Sequence, residues 1–198
     1  MKLICSKSDL LRAVNIVLKA VPSRTTMSIL EGILNQASSD IIKLTGNDTE
    51  LGIETVVKGE ILEEGKIALN ARIFSDIIRK LPDNDVTIES NENFNVMIVC
   101  EKAKFTIAGK AGEDFSNLPY IEKNNFISLS QFTLKEVIQQ TIFSISDNES
   151  NKLMTGELIE VIDNEMKVVS LDGHRISIRK IELKENYEHV KVVVPGKT

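Results

Sequence analysis

The stretch SLDGHRISIRK (170–180) brings together the side chains best suited to chemistry. Asp172 and His174 stand two residues apart, with Gly173 between them and Arg175 after them. An aspartate that orients a histidine is half of an acid–base device, so a small hydrolase-type enzyme using Asp172 and His174 is one reading. Such an enzyme also needs a nucleophile or a metal, and the chain has no GxSxG elbow, HExxH, HxH or phosphate-binding loop to supply one. Its other histidine, His189, lies in the polar stretch ENYEHVKV. The second reading is a structural turn. Asp172 would cap backbone N–H groups, and Gly173 would take a conformation other residues resist. His174 and Arg175 would then be displayed on a turn between strands, where binding residues collect.

Two further groups of residues could act by charge or contact. Arg24 follows a helix in VPSRTT, Arg72 lies in ARIFSDIIRKLP with Arg79 and Lys80, Lys152 occupies a matching later stretch, and Lys197 falls in VVVPGKT. A row of such cations attracts phosphates without reading bases, or else is ordinary solvated surface. In KAKFTIAG (102–109), Lys102 and Lys104 flank Phe105. Together with Ile77 or Ile78 this phenylalanine is either core or part of a subunit contact on an edge strand, where the lysines discourage wrong pairings. Cys5 and Cys100 form no CxxC pair. A reduced, cytoplasmic interior is the default reading, and a single bridge between them is the alternative.

The elements that must position these residues follow from periodicity. SDLLRAVNIVLKAV (8–21) has helical spacing with Ser8 as the expected N-cap, and Pro22 stops it. GILNQAS, IIKLTGN, LGIETVVKGEIL and GKIALN read as antiparallel strands with turns at SSD and GND. ARIFSDIIRKLP (71–82) is a second helix, and DVTIES, FNVMIVCE and KFTIAGK are three more strands.

The chain then repeats itself. Displaced by 124 positions, Leu10 falls on Leu134, Val14 on Ile138, Leu30 on Met154, Gly32 on Gly156, Leu44 on Val168 and Asp48 on Asp172. A displacement of 125 sets IALNARI (67–73) against VVVPGKT (192–198), and so Arg72 against Lys197. This ordered series reads as an internal duplication. The expected domains are 1–120 and 121–198, joined through AGEDFSNLPYIEKNN (111–125), in which Phe115, Leu118 and Tyr120 suit a packed connector. The second copy ends where its second helix should begin. That reads as a fragment of a longer protein, since such a cut leaves apolar faces unburied at ~25 cal/mol per Å².

Composition narrows the functions. With 42% hydrophobic and 27% charged residues the chain is of globular type, and no apolar run reaches membrane-span length. A protein that grips nucleic acid with its whole surface is usually basic, so at a net charge of −5 this chain would touch DNA through a local basic face or hold it without tight contacts.

LTGNDTELGIE (44–54), ARIFSDIIRKLP, AGEDFSNLP (111–119), LMTGEL (153–158), SLDGHRISI (170–178) and VVVPGKT resemble, in order, the bacterial DNA sliding clamp, the beta subunit of DNA polymerase III. The resemblance implies an α+β DNA clamp fold of duplicated units, each with two helices packed on antiparallel sheets, the second incomplete and a third domain absent. It implies a non-enzymatic processivity factor without metal or cofactor, forming a homodimeric ring around double-stranded DNA. Implied partners are the DNA polymerase III alpha subunit, the clamp loader, and repair and replication proteins bearing a short docking motif. Carried over, Met154, Leu171, Gly173, His174, Arg175 and Ile176 line half of a peptide groove. Arg24, Arg72, Lys152 and Lys197 face DNA, and Ile77, Lys102, Lys104 and Phe105 lie at the dimer interface. Leu171 replaces a usual threonine, making the groove more apolar. Asn151 and Ser116 also depart from the family's arginine and proline.

Overall fold

Met1, Leu3 and Cys5 alternate with residues of the opposite face, and this period of two makes the opening segment a strand, β1 (Lys2–Ser6), with Leu3 and Cys5 buried. No expectation above covers it. It runs directly into α1 (Lys7–Val17), so the N-cap is Ser6 rather than Ser8: the Ser6 hydroxyl accepts from the Asp9 N–H at 3.2 Å. The last expected helical turn is a 3₁₀ turn, Leu18–Ala20. Val21 is already extended (φ −92°, ψ 123°), as the residue before a proline prefers.

A computed structural model of the chain describes residues 1–39, 41–119, 121, 126–148, 151 and 153–198. It divides into two units, Met1–Tyr120 and Ile121–Thr198. After α1 the first unit continues with β2 (Gly32–Ser38), β3 (Ile41–Asn47), β4 (Gly52–Val57), β5 (Gly59–Glu63) and β6 (Gly65–Asn70). Then come α2 (Ala71–Lys80), capped by Asn70, and β7 (Asp85–Ser90), β8 (Asn95–Cys100) and β9 (Ala103–Ala111). The strands form one antiparallel sheet in the order β4-β3-β2-β6-β9-β8-β7-β1-β5. LGIETVVKGEIL, expected as one segment, breaks at Lys58. β4 pairs with β3, and β5 pairs with β1 at the other end of the order. Two strands joined by one residue thus end the order on both sides, so the sheet curls round on itself. Leu10, Val14 and Val17 of α1 and Phe74 and Ile78 of α2 fill its inner side against Leu3, Ile33, Leu44, Ile88 and Ile98.

In the second unit Ser130 caps α3 (Gln131–Thr141), a 3₁₀ turn covers Ile142–Ser144, and two strands follow, β10 (Gly156–Leu171) and β11 (Ile176–Pro195). β10 doubles back on itself. Asp163 has a φ of 53°, and the Ser170 hydroxyl reaches Glu157 at 3.1 Å. A straight strand would hold those two residues roughly 40 Å apart. Asp163 is the repeat counterpart of Ser39, φ 49°, which turns β2 into β3. The ladders repeat as well: Asn47↔Gly52 and Ile42↔Val57 recur as Leu171↔Ile176 and Met166↔Ile181, and Gly32↔Asn70 recurs as Gly156↔Pro195. Duplication is therefore written in hydrogen-bond register, not only in the scatter of apolar residues. α3 packs its Val137 against Val161, Met166, Val168 and Leu183. Among the described residues no helix is long and apolar enough to cross a membrane.

Candidate functional site

The turn between β10 and β11 is built by one carboxylate. Asp172 Oδ1 accepts from the backbone N–H groups of His174 at 3.0 Å and Arg175 at 3.1 Å, while Oδ2 takes the Arg175 Nε at 2.8 Å. The Asp172 N–H closes the turn on the Arg175 carbonyl at 3.3 Å. Gly173, at φ +90°, occupies the left-handed region where a side chain would be strained. These donors hold the Asp172 carboxyl below its ordinary value, the His174 N–H foremost and then those of Arg175. Both catalytic faces of the aspartate are thus engaged with the turn itself. The ring of exposed His174 makes no hydrogen bond to Asp172, and no metal-holding cluster occurs among the described residues.

Around the turn lie half-buried Met154 and Leu171, with Ile176 59% exposed and Ile178 56% exposed. Gly173, His174 and Arg175 are exposed beside them. Five of the six expected groove residues thus lie in or beside this turn, and Met154 stands two residues before the start of β10.

Beneath this surface is a polar layer that sequence reasoning missed. Thr141 Oγ1 donates to Glu157 Oε1 at 2.6 Å and Ser170 Oγ to the same oxygen at 3.1 Å, all three residues buried. Ser144 and Ser177 share a hydrogen bond at 2.6 Å. Ser170 and Ser177 flank the turn, so this layer ties both of its stems to α3 and the 3₁₀ turn. The repeat held the signal. The counterparts of Thr141, Glu157 and Ser170 are Val17, Ile33 and Gly46, so three polar residues stand where the first copy is apolar.

The other expected residues fall elsewhere. Arg24 and Arg72 are exposed and line two neighbouring depressions that meet at Pro22, the second shared with Arg79. Lys197 is exposed in the turn after β11, and Lys152 lies outside the described residues. On β9, Ala103–Ala108 pair with β8, but only Gly109–Ala111 pair with β6, so the stretch holding Lys104 and Phe105 has an open edge. Phe105 is 38% exposed and Lys102 precedes it in the β8–β9 turn. Ile78, not Phe105, is core; Ile77 packs partly against that core.

Two family models match the chain, the DNA polymerase III beta subunit N-terminal domain over residues 1–119 and its central domain over residues 128–198. The chain belongs to the DNA polymerase III beta subunit family. It is 36% identical over 191 residues to a beta sliding clamp of Staphylococcus epidermidis, covering 92% of this chain and 51% of that protein. A Staphylococcus aureus beta sliding clamp is 37% identical over the same shares. Among solved structures, a Eubacterium rectale protein described as a DNA polymerase III beta subunit superposes with a TM-score of 0.96 at 68% identity. The Bacillus subtilis DNA polymerase sliding clamp superposes with a TM-score of 0.95 at 36% identity; both matches cover 100% of this chain and 54% of the other. The chain spans about half the length of the curated relatives it matches.

Membership in the beta clamp family overturns the hydrolytic reading of Asp172 and His174, and the turn geometry gives the reason. A carboxylate already filled by two N–H groups and a guanidinium has no room to orient the neighbouring imidazole.

Proposed function

We propose that the full-length protein is a DNA sliding clamp: a non-catalytic, cytoplasmic processivity factor that encircles duplex DNA and tethers the replicative polymerase. The observation that carries this reading is a segregation of charge. Residues 7–24 and 71–80, which contain α1 and α2, hold Lys7, Arg12, Lys19, Arg24, Arg72, Arg79 and Lys80 against only Asp9 and Asp76, in a chain of net charge −5. A ring needs no tight grip on DNA. A basic helical lining attracts phosphates without sequence preference, and an acidic remainder discourages binding on the outside. Arg24 and Arg72 belong to that lining, and the resemblance assigns DNA contacts to Lys152 and Lys197 as well.

The apolar surface around the Asp172 turn serves as half of a docking groove for short segments of the polymerase alpha subunit, the clamp loader and repair proteins. Exposed Ile176 with half-buried Met154 and Leu171 supports this, since apolar anchors beside a polar rim are what such segments bind. The open edge of β9, which carries Lys104 and Phe105 with Lys102 in the turn before it, suits strand pairing with a second subunit, and Ile77 is assigned to the same interface.

Retention of the full-length protein on circular and linear DNA tests the ring. It should outlast a high-salt wash only on the circle, and Arg24→Glu with Arg72→Glu should slow loading. Equal retention on both forms would refute encirclement. His174→Ala and Arg175→Ala should weaken peptide binding in titrations while leaving sedimentation as a dimer unchanged.

A further inference from the structure

The repeat places a second copy of the docking surface in the first unit, where it is covered. Displaced by 124 positions, Met154, Leu171 and Ile176 correspond to Leu30, Asn47 and Gly52. Each of the three is met by the same short piece of the connector. Phe115, only 3% exposed, clusters with Leu30, Leu34 and Ala68. Asn47 Nδ2 donates to the Ser116 carbonyl at 3.4 Å. Leu118 lies directly over Gly52, so that a Cβ there would collide with its side chain.

We propose that Phe115–Leu118 is an intramolecular ligand, seated in the first unit's copy of the docking surface and closing it to other proteins. The pattern is that of a docking segment: two apolar anchors three residues apart, with a backbone carbonyl fixed between them. Gly52 is the position that admits it. The missing side chain leaves the space Leu118 fills, whereas the second unit carries Ile176 at the same point of the same ladder. A tethered segment acts at an effective concentration on the order of millimolar, so a free segment of equal affinity cannot displace it at ordinary concentrations. One fold would then use one surface twice, closed in cis in the first unit and open in the second. The second half of that statement rests on the groove reading above; the first half does not.

The test uses the 198-residue chain and a synthetic peptide, AGEDFSNLP, copied from residues 111–119. Leu118→Ser removes one anchor and should let the peptide bind at least ten times more tightly than to the unaltered chain, shifting the NMR signals of Leu30, Asn47 and Gly52. Adding Gly52→Ala to Leu118→Ser blocks the leucine seat and should abolish that gain. Should Leu118→Ser fail to fold, Gly52→Ala alone carries the test: the Leu118 methyl signals should move to solvent-exposed values. Equal peptide affinity for the unaltered and Leu118→Ser chains overturns the proposal, as does a gain that survives Gly52→Ala or Leu118 methyls that do not move. Signals of Met154, Leu171 and Ile176 report the second unit separately, so failure of the groove reading shows there and not in the first unit.

Discussion

Asp48 and Asp172, 124 positions apart, build the same turn at the same point of two copies of one fold. Asp48 Oδ1 accepts from the N–H groups of Glu50 at 3.0 Å and Leu51 at 2.7 Å, as Asp172 Oδ1 does from His174 and Arg175. The residue after each aspartate is left-handed, Thr49 at φ 76° and Gly173 at φ 90°. What differs is the third residue. Leu51 is buried, while Arg175 stays exposed and folds back on Asp172. The turn is scaffold in both copies, and only the second leaves its third residue exposed.

Thr49 and Gly173 should therefore respond oppositely to exchange. A β-branched residue in the left-handed region costs about 1 kcal/mol that glycine avoids. Thr49→Gly should raise the melting temperature and Gly173→Thr lower it, each by an amount matching that energy in chemical denaturation. Equal signs for both would break the equivalence of the turns.

The turn should also carry an acid limit. The folded-state pKa of Asp172 is depressed by the His174 N–H, then by the Arg175 N–H and guanidinium. A depressed carboxylate stabilises fully above its unfolded value, here the ordinary 3.8, and that contribution is lost as pH falls through the lower folded value. Glu160 is lowered likewise, mainly by Lys167, from an ordinary 4.5. The carboxyl carbon signal of Asp172 should hold steady down to 3.8 and move only below it. A transition midpoint at or above that value would contradict the hydrogen bonding.

Much of this was legible because repetition amplifies weak signals. Helix α2, the turn aspartates and the ladder of Leu30, Gly32 and Asp48 against Met154, Gly156 and Asp172 could be read from spacing alone. β1 could not, since five residues give little periodicity, and the break at Lys58 could not, since nothing local separates two strands that pair with distant partners. The open edge of β9 depends on where β6 stops pairing, which is a property of the sheet and not of KAKFTIAG. The buried Glu157 was hidden because a glutamate in GELIEV looks like a solvent-facing strand residue until α3 covers it.

The two cysteines should prove inert and unbridged. Cys5 lies on β1 and Cys100 on β8, with β7 between them. Two strand spacings put their Cα atoms about 10 Å apart, beyond the ~7 Å that a disulfide tolerates. Both are buried free thiols, and burial, with Asp85 and Asp9 nearby, pushes Cys5 up to about 12. A thiol reagent should therefore label neither in the native protein at neutral pH and both after denaturation. Rapid native labelling of Cys5 would show that β1 opens locally.

Glu157 offers the sharpest test of how the second unit departs from the first. Replacing it by its repeat counterpart, Glu157→Ile, puts the side chain of Ile33 in the matching position but leaves the buried hydroxyls of Ser170 and Thr141 without their carboxylate. Thr141 can turn to the Val137 carbonyl at 2.9 Å; Ser170 loses its acceptor. Each buried polar group left unpaired costs about 1–3 kcal/mol, so the single variant should be clearly destabilised. Adding Thr141→Val and Ser170→Ala removes both hydroxyls and should recover most of that loss, since no buried polar group is then left without a partner. Denaturant unfolding of the single and triple variants decides between this account and simple overpacking. If the triple variant is no more stable than Glu157→Ile, the cost lies in the volume of isoleucine and not in unpaired hydroxyls. If stability returns while peptide binding at the Asp172 turn does not, the polar layer is kept to position the turn, and the first unit shows what the same site becomes without it.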